Sequence, residues 1–286
     1  MKKKLVKTIS KKVPTNGFRV NVLSRHPSHK VLRQMLKRQP VRVAFRLGSV
    51  TETPNTTVEI NSVQSIKNSM NKRLMKECFD RAGVPTPKWT SVASTTELME
   101  KINSGEFQFP IIAKSLFGSR GVGNTYIDSE NNLINWAAGR NFKNYIFEQF
   151  ANYGLEYRLH ITRNGCFYTC RKALKSDTPE NQRWFRNSSN SVWFLEENPA
   201  FRKPNSWNDI VSQCQLALAE IGADVLSFDV RVQSEMKSDG SRRKYQSFAL
   251  IECNSASSMH SETTEMSVCA TKYLEVIPEL IKEKLQ

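Results

Sequence analysis

Two apolar segments near the C-terminus carry acidic side chains within them, and this pattern limits the folds open to the chain. Asp229 stands in residues 225–232, and Glu252 stands in residues 247–253. Both segments have the β-branched and aromatic content of buried strands, where unpaired charges are rarely tolerated. A polar stretch around residues 237–240 separates them and suits a hairpin tip. We therefore expect two antiparallel strands whose carboxylates meet.

Glu252 and Asn254 are predicted to project from one face of their strand, because side chains alternate and Cys253 points the other way. Carboxylate and amide oxygens are ligands that magnesium prefers. Asp229, Glu252 and Asn254 therefore form a candidate magnesium site. The alternative is an ordinary hairpin with each carboxylate on a solvent face, which the apolar neighbours disfavour.

A second candidate element runs from Lys114 to Gly123, where a lysine ends a predicted strand and three glycines follow. Backbone N–H groups beside glycines can bind phosphate oxygens, and the lysine can neutralise them. The segment matches neither the Walker A pattern nor the G-x-G-x-x-G pattern of dinucleotide-binding folds. A plain hairpin turn is the alternative interpretation.

The N-terminal part has the pattern of a βαβ unit. Residues 18–23 and 41–45 are predicted strands, and a helix from Ser28 to about Lys37 is predicted between them. Such a unit favours a parallel sheet, so the sequence predicts an α/β class.

A further helix is predicted after Asn61 or Ser62, either of which can cap it. Its apolar positions are Val63, Ile66, Met70 and Leu74, and its polar side carries Lys67, Lys72, Arg73 and Lys76. Residues 176–206 are polar and much longer than a usual connection, so we expect a functional loop or partial disorder there.

The positive charge of the chain is concentrated at its N-terminus. The formal net charge is +15, and 14 of the 42 Lys and Arg residues precede Glu52, the first acidic residue. Two interpretations stay open. Residues 1–15 form a solvated basic tail followed by a basic helix, or residues 1–46 dock nucleic acid or an acidic partner.

Composition argues against a membrane or secreted protein. No apolar run reaches the ~20 residues that span a bilayer, and no apolar stretch follows the lysines at the N-terminus as in a signal peptide. The six cysteines contain no C-x-x-C pair and are interpreted as reduced thiols of a cytoplasmic protein.

The order of these elements resembles the ATP-grasp superfamily, which includes D-alanine:D-alanine ligase and biotin carboxylase. The most specific parts are residues 222–229, which match the Asp strand, and residues 251–259, which match the Glu-x-Asn metal strand. In finer detail the chain is similar to small phage and bacterial ATP-grasp proteins in residues 24–28, 46–49, 71–72, 82–87 and 184–187. The resemblance implies α+β subdomains in an ATP-grasp fold, preceded by a βαβ pre-ATP-grasp domain.

That resemblance also implies nucleotide contacts. Lys72 and Lys114 would hold the α- and β-phosphates of ATP. The lid over the phosphates would include Ser119, Arg120, Gly121 and Gly123. An interdomain hinge strand would contain Glu148, Gln149 and Phe150, with backbone groups of the last two reading the adenine edge, and Glu156 would bind the ribose.

By the same resemblance, Asp229, Glu252 and Asn254 would hold two magnesium ions, with Glu252 bridging both. The implied activity is an ATP-dependent ligase that phosphorylates a carboxylate and transfers the acyl group to an amine or another nucleophile. A nucleic-acid-associated binding protein that keeps this fold as a scaffold is the alternative.

Cationic side chains must also hold the substrate carboxylate. Arg158, Arg171 and Lys172 are the candidates, with Arg186 in the long loop as a weaker one, and ordinary surface charge is the alternative for each. The family commonly places a small residue and a proline after Glu-x-Asn, whereas this chain has residues 255–259 without proline. We therefore expect an acceptor pocket of different shape.

The predicted organisation has four parts. They are a basic tail at residues 1–15, a pre-ATP-grasp domain at 16–91, a lid subdomain at 92–151 and a C-terminal subdomain with the metal site at 152–286. An oligomer is compatible with this organisation.

Overall fold

A computed structural model of the 286-residue chain describes residues 18–24, 29, 32, 41–53, 56–118, 121, 123–187, 189–257 and 264–286. The predicted basic tail lies outside these residues, as does most of the helix predicted after Ser28. The docking of nucleic acid or an acidic partner by residues 1–46 therefore stays a prediction.

Three parallel strands form the first sheet, in the order β1 (Phe18–Leu23), β2 (Val41–Arg46) and β3 (Val58–Ile60). Val43 and Phe45 alternate along β2 and are both fully buried. They pack against Tyr273 and Ile277 of the C-terminal helix. The N-terminal sheet is thus completed by the last element of the chain.

Two helices stand where one continuous helix was predicted, namely α1 (Val63–Met70) and α2 (Lys72–Arg81). Ser62 caps α1 with its side chain, as predicted. Asn71 then ends α1 and caps α2, because its side-chain oxygen accepts from two N–H groups of the first turn of α2.

This break changes which side chains of α2 face the core. The prediction that Lys72 and Lys76 lie on a polar face is wrong, because both side chains are buried. Met70, predicted as apolar packing, is 44% exposed. A helix that restarts at Asn71 presents a different face than the continued periodicity implies.

The second sheet is antiparallel and has the order β4 (Trp89–Thr90), β7 (Tyr145–Gln149), β5 (Ile111–Ser115), β6 (Asn124–Ile127). Helices α3 (Thr95–Asn103) and α4 (Glu130–Ala137) cover it. Their contact is apolar, and it includes Leu98, Leu133, Trp136 and Phe147.

The third sheet is also antiparallel and has the order β10 (Ser191–Leu195), β9 (Gly165–Leu174), β8 (Leu155–Thr162), β11 (Val225–Val232), β12 (Phe248–Asn254). Helix α5 (Trp207–Ile221) packs on one face, and α6 (Thr264–Leu285) ends the chain. The predicted loop at 176–206 contains β10, a strand that the polar flanking sequence concealed.

Asn61 joins the first sheet to the third. It adopts a left-handed backbone conformation with φ of 61°. Its side-chain oxygen accepts from the N–H groups of Asp224 and Val225 at 2.9 and 3.1 Å, and its amide nitrogen donates to the carbonyls of Arg46 and Val225. Four hydrogen bonds from one side chain fix the two sheets against each other.

The predicted mixed α/β class is confirmed by these sheets and helices. All six cysteines lie in the described part of the chain and are free thiols. Within that part, no helix combines the length and the apolar character that crossing a membrane requires. The predicted domain boundaries stay predictions. Strand β4 belongs to the second sheet but lies before residue 92, where the lid subdomain was predicted to begin.

Candidate active site

Charged and polar side chains form three rows across the face of the third sheet that lies opposite α5. Members of a row are cross-strand partners, and rows two residues apart share a face. The rows are Lys172, Glu156 and Arg231; then Arg158, Asp229 and Glu252; then His160, Ser227 and Asn254. This register brings Asp229 and Glu252 together, as the hairpin pattern predicts.

Asp229 is buried and bound by two cations. Arg158 donates from Nε to Oδ1 and from Nη2 to Oδ2, both at 2.7 Å, and Lys172 Nζ lies 2.8 Å from Oδ2. Burial opposes ionisation, but Arg158 and Lys172 outweigh it and hold the pKa of the Asp229 carboxyl well below its usual range. Asp229 is therefore a carboxylate at neutral pH.

Glu156 is the second carboxylate of this face, and three cations surround it. Lys172 Nζ lies 3.0 Å from Oε1, while Arg231 Nε and Arg186 Nη1 lie 3.3 and 3.6 Å from Oε2. Its burial raises the pKa, but Lys172 and Arg231 lower it further than burial raises it. If Glu156 binds the ribose as predicted, the ribose hydroxyl would contact a carboxylate that already pairs with three cations.

Glu252 differs from both, because no Lys or Arg nitrogen of the described residues lies within 4.0 Å of its carboxylate. Its side chain is half-buried, and its nearest polar contact is Asn254 Nδ2, at 3.5 Å from Oε1. The Glu252 oxygens therefore keep most of their capacity to bind a cation.

The donor set fits magnesium. Glu252 and the Asn254 amide supply oxygens, and Asp229 Oδ1 accepts one hydrogen bond from Arg158, which leaves it a second lone pair. Among the described residues, no three His, Cys, Asp or Glu side chains converge as a metal cluster. The candidate site thus consists of two carboxylates and one amide.

Lys114 lines the cleft together with these carboxylates, and Lys72 lies close enough to be affected by the charges of Lys114 and Glu252. Lys114 Nζ is 2.5 Å from Glu148 Oε1, and Lys72 Nζ donates to the Gly118 carbonyl at 2.9 Å. Burial lowers the pKa of Lys72, and the charge of Glu252 partly restores it. Both lysines predicted to bind phosphate thus have protein partners, Lys72 at Gly118 of the glycine segment and Lys114 at Glu148, and their contact with phosphate stays a prediction.

Sequence reasoning placed Lys76 on a polar surface and missed its burial behind this wall. Lys76 is fully buried, with Nζ 2.5 Å from Glu148 Oε2. The spacing of four residues from Lys72 was the available signal, since residues at that distance share a helix face.

The cleft itself lies between the second and third sheets. Its walls include Lys114, Glu148, Phe150, Glu156, Asp229 and Glu252. Three polar atoms of wall residues are buried without a hydrogen-bond partner among the described residues. Glu148 Oε2 has the Lys76 ammonium as an ion-pair partner, whereas Asn124 Oδ1 and Arg186 Nε have none. Such groups are costly when they stay unpaired, so a polar ligand in the cleft would satisfy them.

The backbone N–H groups of the predicted hinge strand already have hydrogen-bond partners in the protein. The N–H groups of Gln149 and Phe150 donate to the carbonyls of Lys88 and Pro110 at 2.7 and 3.1 Å, so neither is free for a base. The ring of Phe150 lines the cleft, with the Arg231 guanidinium 5.3 Å from its centre. Adenine recognition by this strand stays a prediction.

Trp184, Phe185 and Arg186 of the long loop also line the cleft. Arg231 Nη2 donates to the Trp184 carbonyl at 2.6 Å, and Arg186 Nη2 donates to the Gly154 carbonyl at 2.9 Å. The Arg186 side chain predicted as a weaker candidate is therefore part of the site.

The glycine segment closes the cleft on the side of the second sheet. Gly121 lines it, and Gly123 has φ of 79°, where a Cβ would lie 3.0 Å from the Ser115 Cβ. The predicted lid residues Ser119 and Arg120 lie outside the described residues.

Arg171 is not brought to this cluster. It alternates with Lys172 along β9, its register partner Tyr157 packs in the core under α5, and its guanidinium lies 4.8 Å from the Phe194 ring centre. Of the three predicted carboxylate-binding cations, Arg158 and Lys172 lie in the site, and Arg171 points to the opposite face.

No protein-family model matches the sequence, and no curated protein matches it. Solved structures resemble the fold. VanG D-Ala:D-Ser ligase from Enterococcus faecalis gives a TM-score of 0.61 at 16% identity, over 86% of this chain and 74% of that one. A RimK domain protein ATP-grasp from Sphaerobacter thermophilus gives 0.58 at 11% identity, over 92% and 99%.

A carboxyaminoimidazole ribonucleotide synthase from Aspergillus clavatus, solved with ATP, gives a TM-score of 0.53 at 16% identity and covers 79% of this chain. The chain spans 56% of the length of that synthase. At these identities the likeness concerns the fold alone.

Proposed function

Because the chain has the ATP-grasp fold, we propose that it is an ATP- and magnesium-dependent ligase. It would activate a carboxylate as an acyl phosphate and join the acyl group to an amine or another nucleophile. The fold alone does not require this activity, so the proposal depends on the residues that line the cleft.

One observation carries the proposal, namely the pairing of Asp229 with Glu252 across β11 and β12, with Asn254 on the same face. Asp229 and Glu252 line a cleft whose other wall holds Lys114, and Lys72 donates to the Gly118 carbonyl nearby. Acidic metal ligands facing lysines are what a bound Mg²⁺-nucleotide requires, because the metal and the lysines both neutralise phosphate charge.

Asp229, Glu252 and Asn254 would hold one or two magnesium ions, which supply positive charge to the transferring phosphoryl group. Lys72 and Lys114 would bind the phosphates of the nucleotide. Asn124 Oδ1 and Arg186 Nε, both buried and unpaired among the described residues, would gain partners from the ligand.

The cations of the third sheet suit an anionic substrate. Four of them, Arg158, Lys172, Arg186 and Arg231, surround two carboxylates, Asp229 and Glu156. The local excess of positive charge favours a substrate carboxylate beside the γ-phosphate. A carboxylate oxygen would attack the γ-phosphorus and release ADP. The nucleophile would then attack the acyl carbon and release phosphate.

The test is turnover by the purified chain in an undialysed cell extract with added ATP and magnesium, with the same extract lacking the chain as the background. We expect ADP and a new ligated product by mass spectrometry, both lost with chelator and both reduced at least a hundredfold by Glu252→Gln. Glu235→Gln, at an exposed surface position, is the matched control and should keep the activity. Turnover that ignores both Glu252→Gln and magnesium would rule the proposal out.

A further inference from the structure

Lys76 is buried behind the cleft wall, and the proposed reaction does not use it. It lies one helical turn after Lys72 on α2 and is 0% exposed. Its Nζ is 2.5 Å from Glu148 Oε2 and 2.5 Å from Thr86 Oγ1. The cation is therefore directed at the hinge strand from the core side, behind the surface that a nucleotide would touch.

Glu148 is shared by two lysines, one at each oxygen. Lys114 Nζ lies 2.5 Å from Oε1 and lines the cleft, whereas Lys76 sits on Oε2 and does not line it. The Glu148 side chain is only 4% exposed. A carboxylate so buried needs a counter-ion at all times, because removing its last partner leaves an uncompensated charge in the interior.

We propose that Lys76 is a positioning residue for nucleotide binding: it stays on Glu148 as the permanent counter-ion while Lys114 leaves Glu148 to bind a phosphate. This inference rests on the proposed function, since it needs Lys114 as a phosphate ligand. Without the second lysine, each binding event would strip the buried carboxylate of its only cation, and Lys114 would be retained by Glu148.

Thr86 fixes the direction of Lys76. Its hydroxyl donates to the Leu250 carbonyl at 2.8 Å, so the oxygen presents a lone pair to the Lys76 ammonium. Leu250 stands two residues before Glu252 on β12. The ammonium is thereby held between the hinge strand and the strand that carries the candidate metal ligands.

Lys76 also keeps its charge at neutral pH. Burial lowers its pKa to about 8, against the opposing attraction of Glu148. Below that pH the side chain is mostly protonated and can act as the counter-ion of Glu148.

The experiment is a double-mutant cycle on Mg²⁺-ATP affinity, measured by titration calorimetry on the full chain. Lys76→Met should weaken binding at least tenfold, because Glu148 then retains Lys114. In a Glu148→Gln background the same substitution should change affinity less than threefold, because no carboxylate competes for Lys114. Arg81→Met removes a charge from the exposed end of the same helix and should leave affinity unchanged.

An equal loss in both backgrounds, or no loss in either, would show that Lys76 is only a packed core residue. If Lys76→Met does not fold, Thr86→Val decides the matter: it keeps both charges, and we expect a threefold or greater loss of affinity, while none would overturn the inference. A parent chain that fails to bind Mg²⁺-ATP contradicts the proposed function itself, whereas binding that ignores Lys76 contradicts only this inference.

Discussion

Two buried charge clusters face each other across the cleft, and the chain assembles them in different ways. The cluster around Asp229 is built from neighbouring strands of one sheet, with Arg158 and Lys172 as cross-sheet partners. The cluster around Glu148 joins a helix to two strands, because Lys76 comes from α2 and Lys114 from β5. One depends on strand register, and the other depends on how a helix docks.

The clusters also differ in what their cations can do. At Asp229 a guanidinium binds both oxygens in a forked geometry, which fixes direction as well as charge. At Glu148 each oxygen has its own ammonium, a point charge without the forked geometry, so Lys114 can leave while Lys76 stays. The cluster around Asp229, called the sheet cluster below, is therefore suited to holding a fixed arrangement. The cluster around Glu148, called the helix cluster, is suited to exchanging a partner.

The largest expected effect comes from breaking the sheet cluster with Asp229→Asn. The amide keeps the shape but places an NH₂ group opposite an Arg158 donor. It leaves Arg158 without its buried anion and Lys172 with Glu156 alone. We expect the free energy of unfolding to fall by about 3 to 5 kcal/mol in urea denaturation.

Glu252→Gln is the matched control, since Glu252 is the register partner of Asp229 but has no cation within 4.0 Å among the described residues. It should cost roughly 1 kcal/mol or less. If the two variants lower the free energy of unfolding equally, the forked pair between Arg158 and Asp229 does not stabilise the fold.

Lys76 of the helix cluster should make the free energy of unfolding depend on pH. Lys76 has a pKa of about 8 in the folded chain and 10.5 as its ordinary value. Between these values the unfolded chain binds a proton that the folded chain has lost, so the free energy of unfolding rises with pH. The contribution of Lys76 to the free energy of unfolding is complete above pH 10.5 and is lost as the pH falls through 8.

Across that window the contribution amounts to about 3 to 4 kcal/mol, since each pKa unit corresponds to ~1.4 kcal/mol. Lys76→Met lacks it, so the difference in stability between parent and variant should grow in favour of the parent from pH 7.5 to 10.5. Taking the difference removes the opposing titration of cysteines and tyrosines that both proteins share. A constant difference over this range would place the Lys76 pKa near its ordinary value.

The two clusters also mark what the sequence could predict. Strand alternation alone places Glu252 and Asn254 on one face, and the hairpin between two apolar segments pairs Asp229 with Glu252, so the sheet side of the site was predictable. Arg158 and Lys172 share that face by the same rule. Arg171, one residue away from Lys172, was the error that strict alternation would have avoided.

On the helix side, periodicity could place Lys72 and Lys76 on one face but could not show that this face is buried. One Asn side chain at position 71 divides a predicted helix in two, and the new start buries Lys72 and Lys76. Whether an Asn caps a helix or sits within it depends on what the next turn packs against, which is a tertiary property. The same holds for Asn61, whose left-handed backbone is stabilised by partners more than 160 positions away.

The smallest effect should come from the aromatic side chain behind the sheet cluster. The ring centre of Trp193 lies 5.2 Å from the Arg158 guanidinium carbon and 5.2 Å from Lys172 Nζ. A cation over an aromatic face contributes about 0.5 to 1 kcal/mol when partly exposed, so Trp193→Leu should lower the free energy of unfolding by roughly 1 kcal/mol.

Trp193→Phe distinguishes the contribution of the aromatic face from that of side-chain packing. Phenylalanine keeps an aromatic face toward both cations, although a weaker one than tryptophan, so it should recover part of the stability that leucine loses. If Phe and Leu cost the same in urea denaturation, the tryptophan contributes only packing. The bracing of Arg158 and Lys172 would then come from Asp229 and Glu156 alone, and the two clusters would be alike in relying on carboxylates to hold their cations.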